Sequence, residues 1–185
     1  MTLFNMHTFR ATRSLLAAFV LTVLFVQCKK DDPEEINEEE TITRVTLTLT
    51  DSNGASVPYT WNDGSAEPTI NLTAGSVYQA SIEFFDASDP NEIENITEEV
   101  IEEADEHLVF YEVASASISI ASAANDITDS ASAPTNLKTT WTVGDAATGT
   151  VRAYLIHEPT SKTGTTRNAL GGSADVELSF PITIQ

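Results

Sequence analysis

Cysteine occurs once in this 185-residue chain, at Cys28. A single thiol excludes an intramolecular disulfide and the paired-cysteine patterns that mark structural zinc sites. Basic residues are nearly as scarce: 9 Lys and Arg stand against 28 Asp and Glu, a formal net charge of -19. Proteins that grip phosphate backbones do so with clusters of positive charge that release counterions, so nucleic acid is excluded as a partner. Adhesion to anionic lipid through surface charge is disfavoured for the same reason. Long apolar runs are missing too. Crossing a bilayer as a helix takes about 20 apolar residues, and the run at residues 15–26 stops well short of that. The sequence also has no HExxH, no Gly-x-Ser-x-Gly elbow, no P-loop and no Rossmann glycine pattern, so the usual nucleophile, zinc-hydrolase and nucleotide arrangements are absent and an enzyme is not expected. No repeat of 20 to 50 residues is visible, which removes propellers and solenoids.

What is present begins with topology. Arg10 and Arg13 precede the short apolar run, and Cys28 follows it, itself followed by Lys29-Lys30-Asp31-Asp32. Positive charge before a short apolar core reads as an export signal, here residues 1–27. Phe25-Val26-Gln27-Cys28 stands where the lipobox of bacterial lipoprotein precursors would be, and resembles it, with Gln27 in place of the usual small residue. Cys28 is therefore the expected lipidation site. Residues 28–41 carry Asp31, Asp32, Glu34, Glu35, Glu38, Glu39 and Glu40 with almost nothing apolar, a composition that cannot bury enough surface to order itself and so reads as a tether. The Lys30-Asp31-Asp32 step resembles the acidic export tag of Bacteroidetes lipoproteins. It implies an outer-membrane anchor with the domain exposed at the cell surface, the alternative being a periplasm-facing domain.

From residue 42 to 185 the dominant period is two, the period of a strand with one buried face. Val45, Leu47 and Leu49 alternate with threonines, and Asp51-Ser52-Asn53-Gly54 supplies turn chemistry. Similar alternation runs through Tyr59 and Trp61, through Ile70 and Leu72, and through Tyr78, Ala80, Ile82 and Phe84. Further strands are expected at 108–113, within 114–124, at 137–143, at 150–157 and from Val176 to the terminus, where Pro181 suggests an edge position or a bulge. The period changes once: Ile96, Val100 and Ala104 fall four apart, with Asn95 as N-cap and Glu98 completing a capping box, which predicts one short helix at 96–104. About eight short strands, one helix and no βαβ alternation predict an all-β fold, an antiparallel Ig-like β-sandwich, with a closed barrel as the alternative.

Chemistry points to one region. Between Arg44 and Lys138 there is no Lys or Arg, yet the interval holds 17 acids. On the expected helix, Glu98 with Glu102 and Glu99 with Glu103 are like-charge neighbours, each pair costing about 0.2–0.5 kcal/mol. Glu102, Glu103, Asp105 and Glu106 crowd its C-terminus, where the helix dipole is already negative. A local rule broken this often marks a place where function is expected. The missing positive charge would be a metal ion, or Arg152, Lys162 or Arg167 arriving from elsewhere in the fold. His107 follows the cluster directly, and His157 ends a strong strand beside Glu158. Imidazole nitrogen with carboxylate oxygen suits zinc or another divalent transition metal better than calcium. The candidate ligands are His107 and His157, with Glu102, Glu103, Asp105 and Glu158 as oxygen donors. Asp86, Asp89, Asn91 and Glu92 have the oxygen-rich look of a calcium loop without its spacing, and an Asx turn is the expectation there.

The blocks 96–107 (ITEEVIEEADEH), 154–159 (YLIHEP) and 171–181 (GGSADVELSFP) resemble a group of Bacteroidetes lipoproteins that often carry the label type 1 periplasmic binding fold protein. These are often considered beside TonB-dependent outer-membrane transporters. The resemblance covers most of the chain after Cys28. It implies a non-catalytic binding module working next to such a transporter, and it makes His107, His157 and the surrounding acids the positions to suspect as a cargo or metal site. The other expectation is a structural or adhesive surface module that contacts protein or glycan.

Overall fold

In the computed structural model residues 40–185 are described; the expected signal segment, Cys28 and nearly all of the tether lie outside the described residues. The elements run β1 (Arg44–Thr50), β2 (Ser56–Asn62), β3 (Ile70–Leu72), β4 (Val77–Phe85), α1 (Ile96–Glu102), β5 (His107–Ala114), β6 (Ile118–Ser122), β7 (Lys138–Val143), β8 (Ala147–His157), α2 (Arg167–Leu170) and β9 (Ser173–Ile184). They form two sheets, one ordered β2-β1-β4-β7-β6 and the other β3-β9-β8-β5. The expected all-β sandwich is what the chain forms, and among the described residues neither sheet closes into a barrel.

The inner faces follow from the two-residue period. Val45, Leu47 and Leu49 of β1 are buried while the threonines between them face outward, because successive strand side chains point to opposite faces. They meet Phe84, Trp141, Val151, Leu155 and Phe180 in a single main core. Burying side chains of this size stabilises by about 1.5–3 kcal/mol each. A second, smaller cluster lies on the opposite face of β5 and β8, where Leu108, Tyr154 and Ile156 are covered by Leu170 of α2. Within the polar connection from 158 to 172, burial of Leu170 accompanies a single helical turn.

Two expectations are corrected. Pro181 does not mark an edge strand: β9 lies inside its sheet, between β3 and β8. Pairing with β3 begins only at Ile182, so the missing N–H of Pro181 interrupts nothing on that side. That β3–β9 pairing is parallel, so the second sheet is mixed. Sequence periodicity is the same for parallel and antiparallel neighbours and does not distinguish them.

Helix α1 is held where the site needs it. Its N-cap is Asn95, whose side chain accepts from the Thr97 N–H, while Asn95 Nδ2 donates to Glu98 Oε1 at 3.2 Å. Thr97 docks the helix on β4, its hydroxyl donating to the Phe84 carbonyl at 3.1 Å and accepting from the Phe84 N–H at 2.8 Å. The helix ends at Glu102 rather than reaching Ala104. Its last turn carries acids and no base, but Lys162 arrives from the β8–β9 connection and donates to the Ala104 carbonyl. One of the three basic residues named above thus supplies charge to the negative helix end, and it also pairs with Asp129 at 3.0 Å.

Candidate metal centre

His107 opens β5 and His157 closes β8, and the register of that antiparallel pair sets them directly opposite each other. Both lie on the face that carries Val109, Val151 and Leu155, so they continue the main core at one end of the sandwich. Their rings stack with centroids 4.7 Å apart and planes 11° from parallel. Both are almost fully enclosed, His107 at 0% exposure and His157 at 4%.

A third group comes from a bulge. Along β9, Val176 pairs with Leu155 and Ala174 with Ile156, which leaves Asp175 as the extra residue. An inserted residue breaks the alternation and re-aims its side chain. Asp175 consequently places Oδ1 3.9 Å from Nδ1 of His157, with a side chain only 1% exposed. His107, His157 and Asp175 each bring one ligand atom to within 4.8 Å of the others. A second triad, Glu40, Glu103 and His107, shares His107 and meets the same criterion. Oε1 of Glu40 is 3.9 Å from Nε2 of His107. Glu106, largely exposed, approaches Nε2 of His157 to 3.7 Å.

The protonation states follow from the partners. Nδ1 of His107 is 3.2 Å from the Glu103 carbonyl. A carbonyl only accepts, so Nδ1 carries the hydrogen and Nε2 keeps its lone pair. Burial pushes the His107 pKa below its ordinary value; the neighbouring His157 adds to this, and the Glu103 carbonyl and the charges of Asp175 and Glu103 oppose it. Glu40 moves the other way. Burial first, then the carboxylates of Glu99, Asp175 and Glu103, push its pKa up to about 7, with His157 pulling weakly downward. Among the described residues, Nε2 of His107, Nε2 of His157 and Oε2 of Glu40 are buried without a hydrogen-bond partner. Leaving such an atom unsatisfied costs about 1–3 kcal/mol.

The sequence-derived ligands divide. His107 shares one triad with His157 and the other with Glu103, which is itself exposed. Glu102, Asp105 and Glu158 belong to neither triad: Glu102 and Glu158 are exposed, and Asp105 instead accepts the Ser130 N–H at 2.8 Å. Asp175 and Glu40 were not foreseen, one hidden by a bulge and the other assigned to the tether. Elsewhere, Asp86 and Asp89 accept the N–H groups of Ser88 and Asn91, two residues on in each case, as ordinary Asx turns do. Of the aromatics, Trp141 is fully buried with Tyr111 set edge-on at 5.8 Å, which makes them part of the core. Compared with protein-family models, with curated proteins and with solved structures, the chain matches none.

Proposed function

We propose that this chain is a non-catalytic lipoprotein, anchored through Cys28 to the outer membrane, whose sandwich holds a divalent transition metal, zinc foremost, as cargo for a TonB-dependent transporter. The observation that carries the reading is the pair of buried imidazoles whose Nε2 atoms lack a hydrogen-bond partner among the described residues, set beside the carboxylates of Glu40, Glu103 and Asp175. Buried polar atoms are normally satisfied, and a concentration of exceptions asks for an ion or a role. Two nitrogens and carboxylate oxygens form a donor set for zinc or copper rather than for calcium or magnesium, which take oxygen alone. The rings lie 11° from parallel, so a shared ion requires at least one ring to turn. The domain would then be surface-exposed and deliver the ion it carries.

A second reading, a surface module that contacts glycan, draws support from a cleft of about 660 Å³ on the outer face of the second sheet, lined among others by Glu112, Arg152, Tyr154, Asn168 and Glu177. Thermal unfolding with and without zinc separates the two. At 100 times its dissociation constant a bound ion adds about 2.7 kcal/mol, an increase that His107→Ala should abolish. No shift with zinc, copper or calcium leaves the adhesive reading in possession.

A further inference from the structure

The candidate centre is completed by a residue that lies ahead of the first strand. Glu40 precedes β1 by four positions, yet its carboxylate reaches into the end of the sandwich, its side chain 9% exposed. The chain from Ile42 onward is held by other means: Ile42 packs on the core, the Thr43 N–H donates to Phe85 at 3.0 Å, and the Thr43 carbonyl accepts from Asp63 at 2.8 Å. Glu40 has none of these. Its carboxyl is hydrogen-bonded to that of Glu99, its other neighbours are the carboxylates of Glu103 and Asp175 and the two imidazoles, and among the described residues no Lys or Arg pairs with it.

With Glu40 ionised, its contact with His107 sets acceptor against acceptor. Nε2 of His107 presents a lone pair, because Nδ1 spends its hydrogen on the Glu103 carbonyl, and a carboxylate oxygen stands 3.9 Å away. At that distance no hydrogen bond forms. Two such atoms bound to one tetrahedral zinc, with bonds of about 2.0–2.2 Å, would lie roughly 3.4 Å apart, so a closure of half an ångström converts the gap into a ligand pair. The second carboxylate oxygen, Oε2, is buried and has no hydrogen-bond partner among the described residues.

Building on the metal reading above, we propose that Glu40 is a ligand of the same ion, so that a metal seated on His107 and His157 fastens residues 40–41, where the chain arrives from Cys28, to the end of the sandwich. Loading and release would then change how the domain is joined to its anchor. The ion acts as a clasp, and the empty site leaves residue 40 held by its carboxyl contact with Glu99.

The test uses the chain from residue 28 onward with Cys28→Ser, zinc as the probe, calorimetric affinity, and hydrogen exchange of the amides at 40–42. In the otherwise wild-type protein zinc should slow exchange at 40–42 about tenfold or more. Glu40→Gln should still bind zinc through the histidines but more weakly, by at least the roughly tenfold that loss of an outer-shell partner costs, and exchange at 40–42 should no longer respond. Glu40→Asp, which keeps the charge on a shorter arm, should fall between the two and serves if the glutamine variant folds poorly. Zinc binding of undiminished affinity in Glu40→Gln, or unchanged exchange at 40–42 in a protein that does bind zinc, overturns the clasp and leaves the histidine site standing. No zinc binding by the wild-type site overturns both.

Discussion

Asp175 meets His157 because β9 carries one residue too many. The bulge opposite the Leu155–Ile156 step takes Asp175 out of the alternating pattern and sets its carboxylate 3.9 Å from the imidazole Nδ1. If Asp175 is there to hold an ion, its removal should show in the loaded protein. Asp175→Asn takes away a carboxylate ligand, so zinc affinity should drop about tenfold or more. A merely structural Asp175 would lower the melting temperature and leave affinity unmoved. Melting curves with and without zinc distinguish the two.

The acid–imidazole cluster predicts an unusual pH profile for the metal-free protein. Glu40, ordinarily at 4.5, sits at about 7 in the fold. Between those values the folded chain holds a proton that the unfolded chain has lost, so this contribution is fully present below about 4.5 and is lost as pH rises through 7. His107, lowered from 6.5, acts in the other sense: its contribution is present above 6.5 and is lost as pH falls toward the folded value. Urea midpoints measured from pH 4 to 8 should therefore decline toward pH 7 in the wild type, and Glu40→Gln should remove that decline and leave the rise due to His107. A Glu40→Gln profile parallel to the wild type would contradict the assignment.

Gly172 is tied to the geometry of His157. It has φ of 64°, and an added Cβ would strike the His157 carbonyl oxygen and the backbone of Glu158. Gly172→Ala should thus cost more than the roughly 1 kcal/mol of an ordinary backbone penalty and should weaken zinc binding as well, because the strand end that presents the imidazole has to shift. Chemical denaturation together with calorimetry checks both effects in one variant.

Thr97 fixes the helix that supplies Glu103. Its hydroxyl satisfies both the N–H and the carbonyl of Phe84 in a buried position. Thr97→Val keeps the shape and strands two backbone groups, each worth about 1–3 kcal/mol when buried unpaired. A loss of about 2 kcal/mol or more is expected, read from denaturant midpoints at constant slope.

Much of this was legible in residue order, and the failures have physical causes. The Thr-Leu alternation of β1 and the four-residue spacing of Ile96 and Val100 report directly on which side chains are buried, because strand and helix periods are local properties. His107 and His157 could be named as a pair, since one follows the acidic cluster and the other ends a strand; their exact opposition is a matter of register, which depends on the whole sheet. Asp175 was invisible because a bulge is a tertiary event with no composition of its own. Glu40 looked like the last acid of a solvated run, and only the fold shows its carboxylate buried against His107. The carboxylates that looked best on the chain, Glu102 and Glu158, turn outward. Adjacency in sequence to a histidine says little about which atom will face it.

The account rests on the two stacked imidazoles sharing an ion, and calorimetric titration of zinc into the metal-free protein tests this most directly. One ion per chain is predicted for the wild type, with binding lost in both His107→Ala and His157→Ala while each variant keeps the far-ultraviolet dichroism of the sandwich. Absence of zinc binding to the wild type, or binding that survives both substitutions together, would contradict it.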